Sequence, residues 1–167
     1  MIDIVCVKWG TKFKAEYVNN LYSGVKRNTT CNFRFHCYTD DTNDLLENII
    51  THELPSGLEG WWNKIYLFSD QLTHFLGANM VYMDLDTLIV GNIDDILSYR
   101  PKHFAGLNNW YRQGQLNSSI MMWKHGNMFN VWKDFAKDPK GCVNSTSDGD
   151  QEFINRYMLE PDYLQTQ

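Results

Sequence analysis

Met80-Val81-Tyr82-Met83-Asp84-Leu85-Asp86-Thr87 is a short apolar run that stops abruptly at one acid and meets a second after a single intervening residue. Four apolar residues of this kind suit a buried strand, and two carboxylates where such a strand runs out suit chemistry. In open α/β sheets, ligands bind outside the carboxyl ends of the strands. Paired carboxylates at that place offer hard oxygen ligands to a divalent cation, which can bridge them to a diphosphate. Two acids alone also make an ordinary solvated turn, so the rest of the chain has to decide between the readings.

Working outward, apolar runs of strand length alternate with stripes of helical spacing. Ile2 to Val7, Phe33 to Tyr38 and Ile49 to Leu54 read as strands, and Phe104 to Leu107 and Leu116 to Trp123 as later ones. Tyr17, Val18, Leu21, Tyr22 and Val25 predict a helix over 14–27. Trp61, Ile65, Phe68, Leu72, Phe75 and Leu76 predict another, and the last two helices are expected around Phe129–Ala136 and Phe153–Met158. Strand–helix alternation predicts an α/β fold with a largely parallel central sheet. With 167 residues and no repeat or linker, residues 1–167 are expected to form one domain.

Composition narrows the function. A formal net charge of −5 without a Lys/Arg run disfavours phosphate-backbone binding, so nucleic acid is not an expected partner. Cys6, Cys31, Cys37 and Cys142 have no CxxC spacing and read as reduced thiols, two of them in the core. The five histidines show no metal-ligand spacing. No stretch reaches the roughly 18 apolar residues of a membrane span. Met1 leads straight into a β-branched run unlike a signal peptide, so a cytoplasmic protein is expected.

Four segments, in order, carry a family resemblance: WWNKIYLF at 61–68, MVYMDLDTLIVGNIDDIL at 80–97, LNSSIMMW at 116–123 and DGDQEFIN at 148–155. Together they make the chain resemble the GT-A glycosyltransferases, in particular the family 8 enzymes related to glycogenin and bacterial galactosyltransferases. The resemblance spans nearly the whole chain. It implies a GT-A, Rossmann-like single domain with helices on both faces of the sheet. It also implies a metal-dependent glycosyltransferase that moves a hexose from a nucleotide-sugar, a UDP-sugar in this family, to a glycan or other acceptor, with retention.

By the same resemblance, Asp84 and Asp86 hold Mn²⁺ or Mg²⁺ against the donor diphosphate, and Lys64 faces donor phosphate. Asn117 contacts the donor sugar, although Ser119 stands where the family has glycine. Asp150 and Gln151 match the Asp-Gln pair beside the anomeric carbon. Lys8 and Trp9 follow the first strand, where the fold receives the nucleotide base; Trp61, Trp62, Trp110 and Tyr111 are further rings that donor or acceptor could meet. The family's third metal ligand is a histidine after the last motif. Here no histidine follows His125 and the sequence runs only to Gln167, so either a C-terminal segment is lacking or water or another acid such as Asp148 completes the shell.

Two rival readings remain. Asp84-Leu85-Asp86-Thr87 also mimics the motif of haloacid-dehalogenase-type phosphatases, with Asp84 as nucleophile and Asp86 as acid/base. That motif normally opens the chain, and the reading leaves WWNK, LNSS and DQEFIN without a role. The other rival is a non-catalytic module that binds a nucleotide-sugar.

Overall fold

The computed structural model describes residues 1–158 and 162–164. Its strands are β1 (Ile2–Lys8), β2 (Phe33–Thr39), β3 (Ile50–Glu53), β4 (Asn79–Met83), β5 (Phe104–Asn108), β6 (Leu116–Lys124) and β7 (Asp162–Leu164). They form one sheet in the order β3-β2-β1-β4-β6-β5-β7. The pairs β3/β2, β2/β1, β1/β4 and β5/β7 are parallel, whereas β6 is antiparallel to both β4 and β5. Six strands therefore point one way and β6 alone runs back, which agrees with the expected mostly parallel sheet.

Side chains alternate across the strands and supply two cores. Ile2, Ile4 and Cys6 of β1 and Val81 and Met83 of β4 face α1 (Ala15–Arg27) and α2 (Asp94–Ser98) through Val18, Leu21, Val25 and Leu97. On the other face, Val5, Met80, Tyr82, Met121 and Trp123 meet Trp62, Ile65 and Phe68, together with α3 (Phe129–Lys137) and α5 (Asp150–Asn155). Burial on both faces explains why β1 and β4 read as continuous apolar runs rather than alternating ones. Between α3 and α5, Pro139 opens the short α4 (Pro139–Asn144), with Asp138 accepting a capping bond from the Gly141 N–H at 2.9 Å.

The helix expected over Trp61–Leu76 is not one helix. A 3₁₀ helix covers Gly60–Phe68, the chain turns extended at Ser69, and a second 3₁₀ turn covers Thr73–Phe75. The reason lies in the spacing. Trp62, Ile65 and Phe68 are buried and lie three apart, so they line up on a helix with three residues per turn. Leu76, counted in the stripe, is exposed instead. Tyr17 likewise sits at the margin of the α1 stripe, half-exposed. Cys6 and Cys37 are neighbours in the β1/β2 register, buried and unpaired, as expected of core thiols. No helix among the described residues is long and apolar enough to cross a membrane.

Near the amino ends of the strands, buried Asp3 accepts a bidentate bond from Arg34 (2.6 and 3.0 Å) and contacts His36 Nε2 at 3.0 Å. The chain of contacts continues from His36 Nδ1 to His52 Nε2 at 2.9 Å, and His52 stacks between Tyr38 and His74. Burial, then the neighbouring His36 and His74, push the His52 pKa down to about 4. The unfolded chain takes up this proton near the ordinary histidine value of about 6.5, whereas the folded chain resists until about pH 4. Stability is therefore complete above pH 6.5 and falls as the pH drops towards 4. The melting temperature should decrease between pH 7 and pH 5, and His52→Gln, which cannot titrate, should flatten that slope. A wild-type melting temperature that rises on acidification would contradict this assignment.

Candidate active site

Where β4 ends, Asp84 is fixed by its backbone before its side chain is considered. Its N–H donates to Ser119 O on β6 (2.8 Å), and its carbonyl accepts from Thr87 N (3.1 Å), closing the turn that carries Asp86. The β6 partner is irregular here. Gly106 pairs with Met121 but Leu107 pairs with Asn117, so Ser118, Ser119 and Ile120 lie opposite a register shift in β5. A bulge of this kind re-aims side chains. Gly106 permits it, because a Cβ there would lie 2.3 Å from Leu116 Cδ1.

The re-aimed Ser118 meets a buried charge cluster. Lys64 Nζ lies 3.1 Å from Asp84 Oδ1, 3.3 Å from Asp150 Oδ2 and 3.2 Å from Ser118 Oγ. Ser118 in turn donates to Asp150 Oδ2 at 2.9 Å, and the Tyr82 hydroxyl donates to Asp84 Oδ1 at 2.6 Å. The Tyr82 ring also faces the ammonium, 5.3 Å from Nζ. An ammonium has three N–H donors, and all three are engaged inside the protein. A phosphate could be met only by giving one of them up.

The electrostatics follow from burial and pairing. Burial works against the Lys64 charge, but Asp150 and Asp84 outweigh it and hold its pKa above the ordinary value. For Asp150, burial dominates and raises its pKa despite Lys64 and Ser118. Burial, with Asp84 beside it, keeps the Tyr82 phenol protonated far above its usual range. The cluster thus holds a charged lysine, a carboxylate open to solvent at Asp84 and a second, enclosed carboxyl at Asp150.

The residues singled out in the sequence are distributed unevenly. Lys64, Asp84 and Asp150 come together. Asp86 is exposed in the turn beyond Asp84. Asn117 is half-buried on β6, its Oδ1 accepting from Ser119 N at 2.9 Å. Gln151, one step further around α5, does not join the cluster. It lines a polar cleft of about 290 Å³ with Arg112, Asp148 and Asn155. Asp148 pairs with Arg112 rather than with Asp84 or Asp86. Among the described residues no three His, Cys, Asp or Glu side chains converge as a cation site. Lys8 is buried, with Nζ 3.9 Å from Asp41, and Trp9 stands half-exposed beside it at the carboxyl end of β1. Trp62 is core, whereas Trp61, Trp110 and Tyr111 are exposed.

Sequence reasoning did not single out Tyr82 or Ser118. Tyr82 carried a signal, because residues two apart on a strand share a face. Ser118 carried none, since its direction depends on the bulge. Gly149 is a further requirement: its φ is +70°, and a Cβ there would approach Trp61 Nε1 to 2.6 Å, so glycine lets the loop before α5 pass beneath that ring.

With this geometry in view, the fold can be compared with solved ones. The glycosyltransferase GlyE of Streptococcus pneumoniae TIGR4 superposes with a TM-score of 0.74 at 10% identity, over 99% of this chain and 46% of GlyE. An active-site mutant of LgtC gives a TM-score of 0.70 at 12% identity, covering 97% of this chain and 72% of LgtC. The galactosyltransferase LgtC in complex with donor and acceptor sugar analogs gives 0.64 at 14% identity, over 92% and 69%. The chain thus spans less than half the length of GlyE. No protein-family model matches the sequence, and no curated protein matches it. The fold is that of GT-A glycosyltransferases.

Breaking a buried ion pair from one side leaves the other charge uncompensated, which typically costs about 3–5 kcal/mol. Lys64→Met should therefore lower the urea midpoint strongly, and adding Asp150→Asn should restore part of the loss. A Lys64→Met protein as stable as the wild type would show that the cluster is not held as described.

Proposed function

We propose that this chain is the nucleotide-sugar-binding and catalytic part of a metal-dependent glycosyltransferase, transferring a hexose from a UDP-sugar with retention. The observation that carries the proposal is the Lys64 cluster. It joins the acid at the end of β4 to the acid opening α5, at the carboxyl edge of a GT-A sheet. A cytoplasmic location accords with four unpaired cysteines.

The donor set fits Mn²⁺ or Mg²⁺. Asp84 and Asp86 supply hard carboxylate oxygens, and Asp84 Oδ2 has no side-chain partner among the described residues. Once bound, such an ion stabilises the charge that builds on the departing diphosphate. The remaining work falls to the chain. Asp84 and Asp86 would hold the ion. Lys64 exchanges its bond to Asp84 for a phosphate oxygen while keeping Asp150. Asn117 holds a sugar hydroxyl, Asp150 lies beside the anomeric carbon, and Trp9 stacks on the base beside Lys8. The leaving phosphate can take the acceptor's proton, so the front-face route needs no protein base. The alternative, attack by Asp150, would require a buried carboxyl to give up Lys64 and Ser118. The phosphatase reading is not favoured, because the solved structures whose fold this chain shares are glycosyltransferases.

The test is thermal shift against UDP-glucose and UDP-galactose with and without Mn²⁺, followed by UDP release. A ligand that binds only the native state raises its stability, by about 2.7 kcal/mol at a hundredfold excess over Kd. The melting temperature should rise only when nucleotide-sugar and Mn²⁺ are both present. Asp86→Asn should abolish that rise while leaving the unliganded melting temperature unchanged. Phosphate release from simple monoesters, with a phosphoaspartate on Asp84, would favour the phosphatase. Metal-dependent binding without turnover would favour the non-catalytic module.

Within the same reading, Asn117→Ala should slow transfer by about 10²–10³, the usual effect of removing one donor aimed at developing charge. Its affinity for UDP alone should not change. Equal losses in both would move Asn117 away from the sugar.

A further inference from the structure

Met80, Tyr82 and Asp84 follow one another at the strand period of two, so the Tyr82 ring lies directly behind the carboxylate that ends β4. The ring is almost wholly buried, at 2% exposure, and its hydroxyl reaches Asp84 Oδ1 at 2.6 Å. Lys64 reaches the same oxygen at 3.1 Å. Both protein contacts thus fall on Oδ1, and Oδ2 has no side-chain partner among the described residues.

We propose that Tyr82 is a positioning residue for the cation: by holding Oδ1 it fixes the rotation of the Asp84 carboxylate and turns Oδ2 towards the ion. This rests on the metal-dependent reading given above. The role grows when the donor binds. If Lys64 turns to a phosphate, Tyr82 is the one side chain among the described residues still gripping Asp84. A neutral donor on Oδ1 restrains the carboxylate while adding no positive charge next to the incoming ion, which a lysine alone in that place would do. Partners of this kind, bonded to a metal ligand rather than to the metal, typically affect metal affinity 10- to 100-fold.

Tyr82→Phe removes the hydroxyl and keeps the ring that packs against Lys64. Tyr38→Phe is the control, because Tyr38 is also a buried tyrosine but its hydroxyl has no hydrogen-bond partner among the described residues. Mn²⁺ binding in the presence of saturating UDP is measured by the electron paramagnetic resonance signal of free Mn²⁺. Tyr82→Phe should weaken Mn²⁺ about tenfold or more, and Tyr38→Phe should leave it unchanged. Wild-type affinity in Tyr82→Phe, or equal weakening by the two tyrosine variants, overturns the assignment. A wild-type protein that binds UDP but no Mn²⁺ overturns the metal-dependent reading and this inference with it.

Discussion

The ammonium of Lys64, buried between Asp84 and Asp150, is the interaction on which the site depends. It comes from the 3₁₀ helix, whereas its partners come from the end of β4, the bulge of β6 and the first turn of α5. Such a cation is tolerable in a core only if every donor is satisfied and the opposing charge is close. Here Asp84, Asp150 and Ser118 take the three N–H groups. The cluster therefore acts as a joint that requires four separately placed segments to meet at one point. It leaves the partly exposed Asp84 side chain at the carboxyl edge of the sheet, where the proposed cation would sit.

The surrounding architecture serves that joint. Two cores, one on each face, keep β1 and β4 buried, and their parallel pairing brings both carboxyl ends to the same edge. The reversed β6 brings its own middle, rather than an end, beside Asp84, and the register shift against β5 turns Ser118 inward. Gly106 and Gly149 are the two places where a side chain would close the space this arrangement needs, one under Leu116 and the other under Trp61. The 3₁₀ helix contributes through its spacing: Trp62, Ile65 and Phe68 anchor one line of it in the core while the adjoining Lys64 reaches the acids.

Much of this was legible in the sequence. The run Met80–Met83 followed by Asp84 located the strand and the acid at its carboxyl end, and the stripe Val18, Leu21, Val25 located α1. The segment WWNK was recognised by likeness, but its helical type was misread, since apolar residues at three- and four-residue spacings look alike over so short a stretch. Lys64, Asp84 and Asp150 were each picked out, yet nothing in their separation along the chain showed that one ammonium joins them. Gln151 was paired with Asp150 by likeness to the family's Asp-Gln pair, whereas neighbouring helical residues diverge by about 100°, and Gln151 looks into a cleft with Arg112, Asp148 and Asn155. Ser118 depends on a bulge, which arises from pairing between strands and leaves no local pattern in either one.

Diffraction at the manganese absorption edge, from crystals grown with UDP and Mn²⁺, tests the site most directly. A single anomalous peak in bonding contact with Asp84 Oδ2 and Asp86, with the diphosphate between the ion and Lys64, is the result expected. A manganese peak away from both acids, or UDP bound at another edge of the sheet, would contradict it.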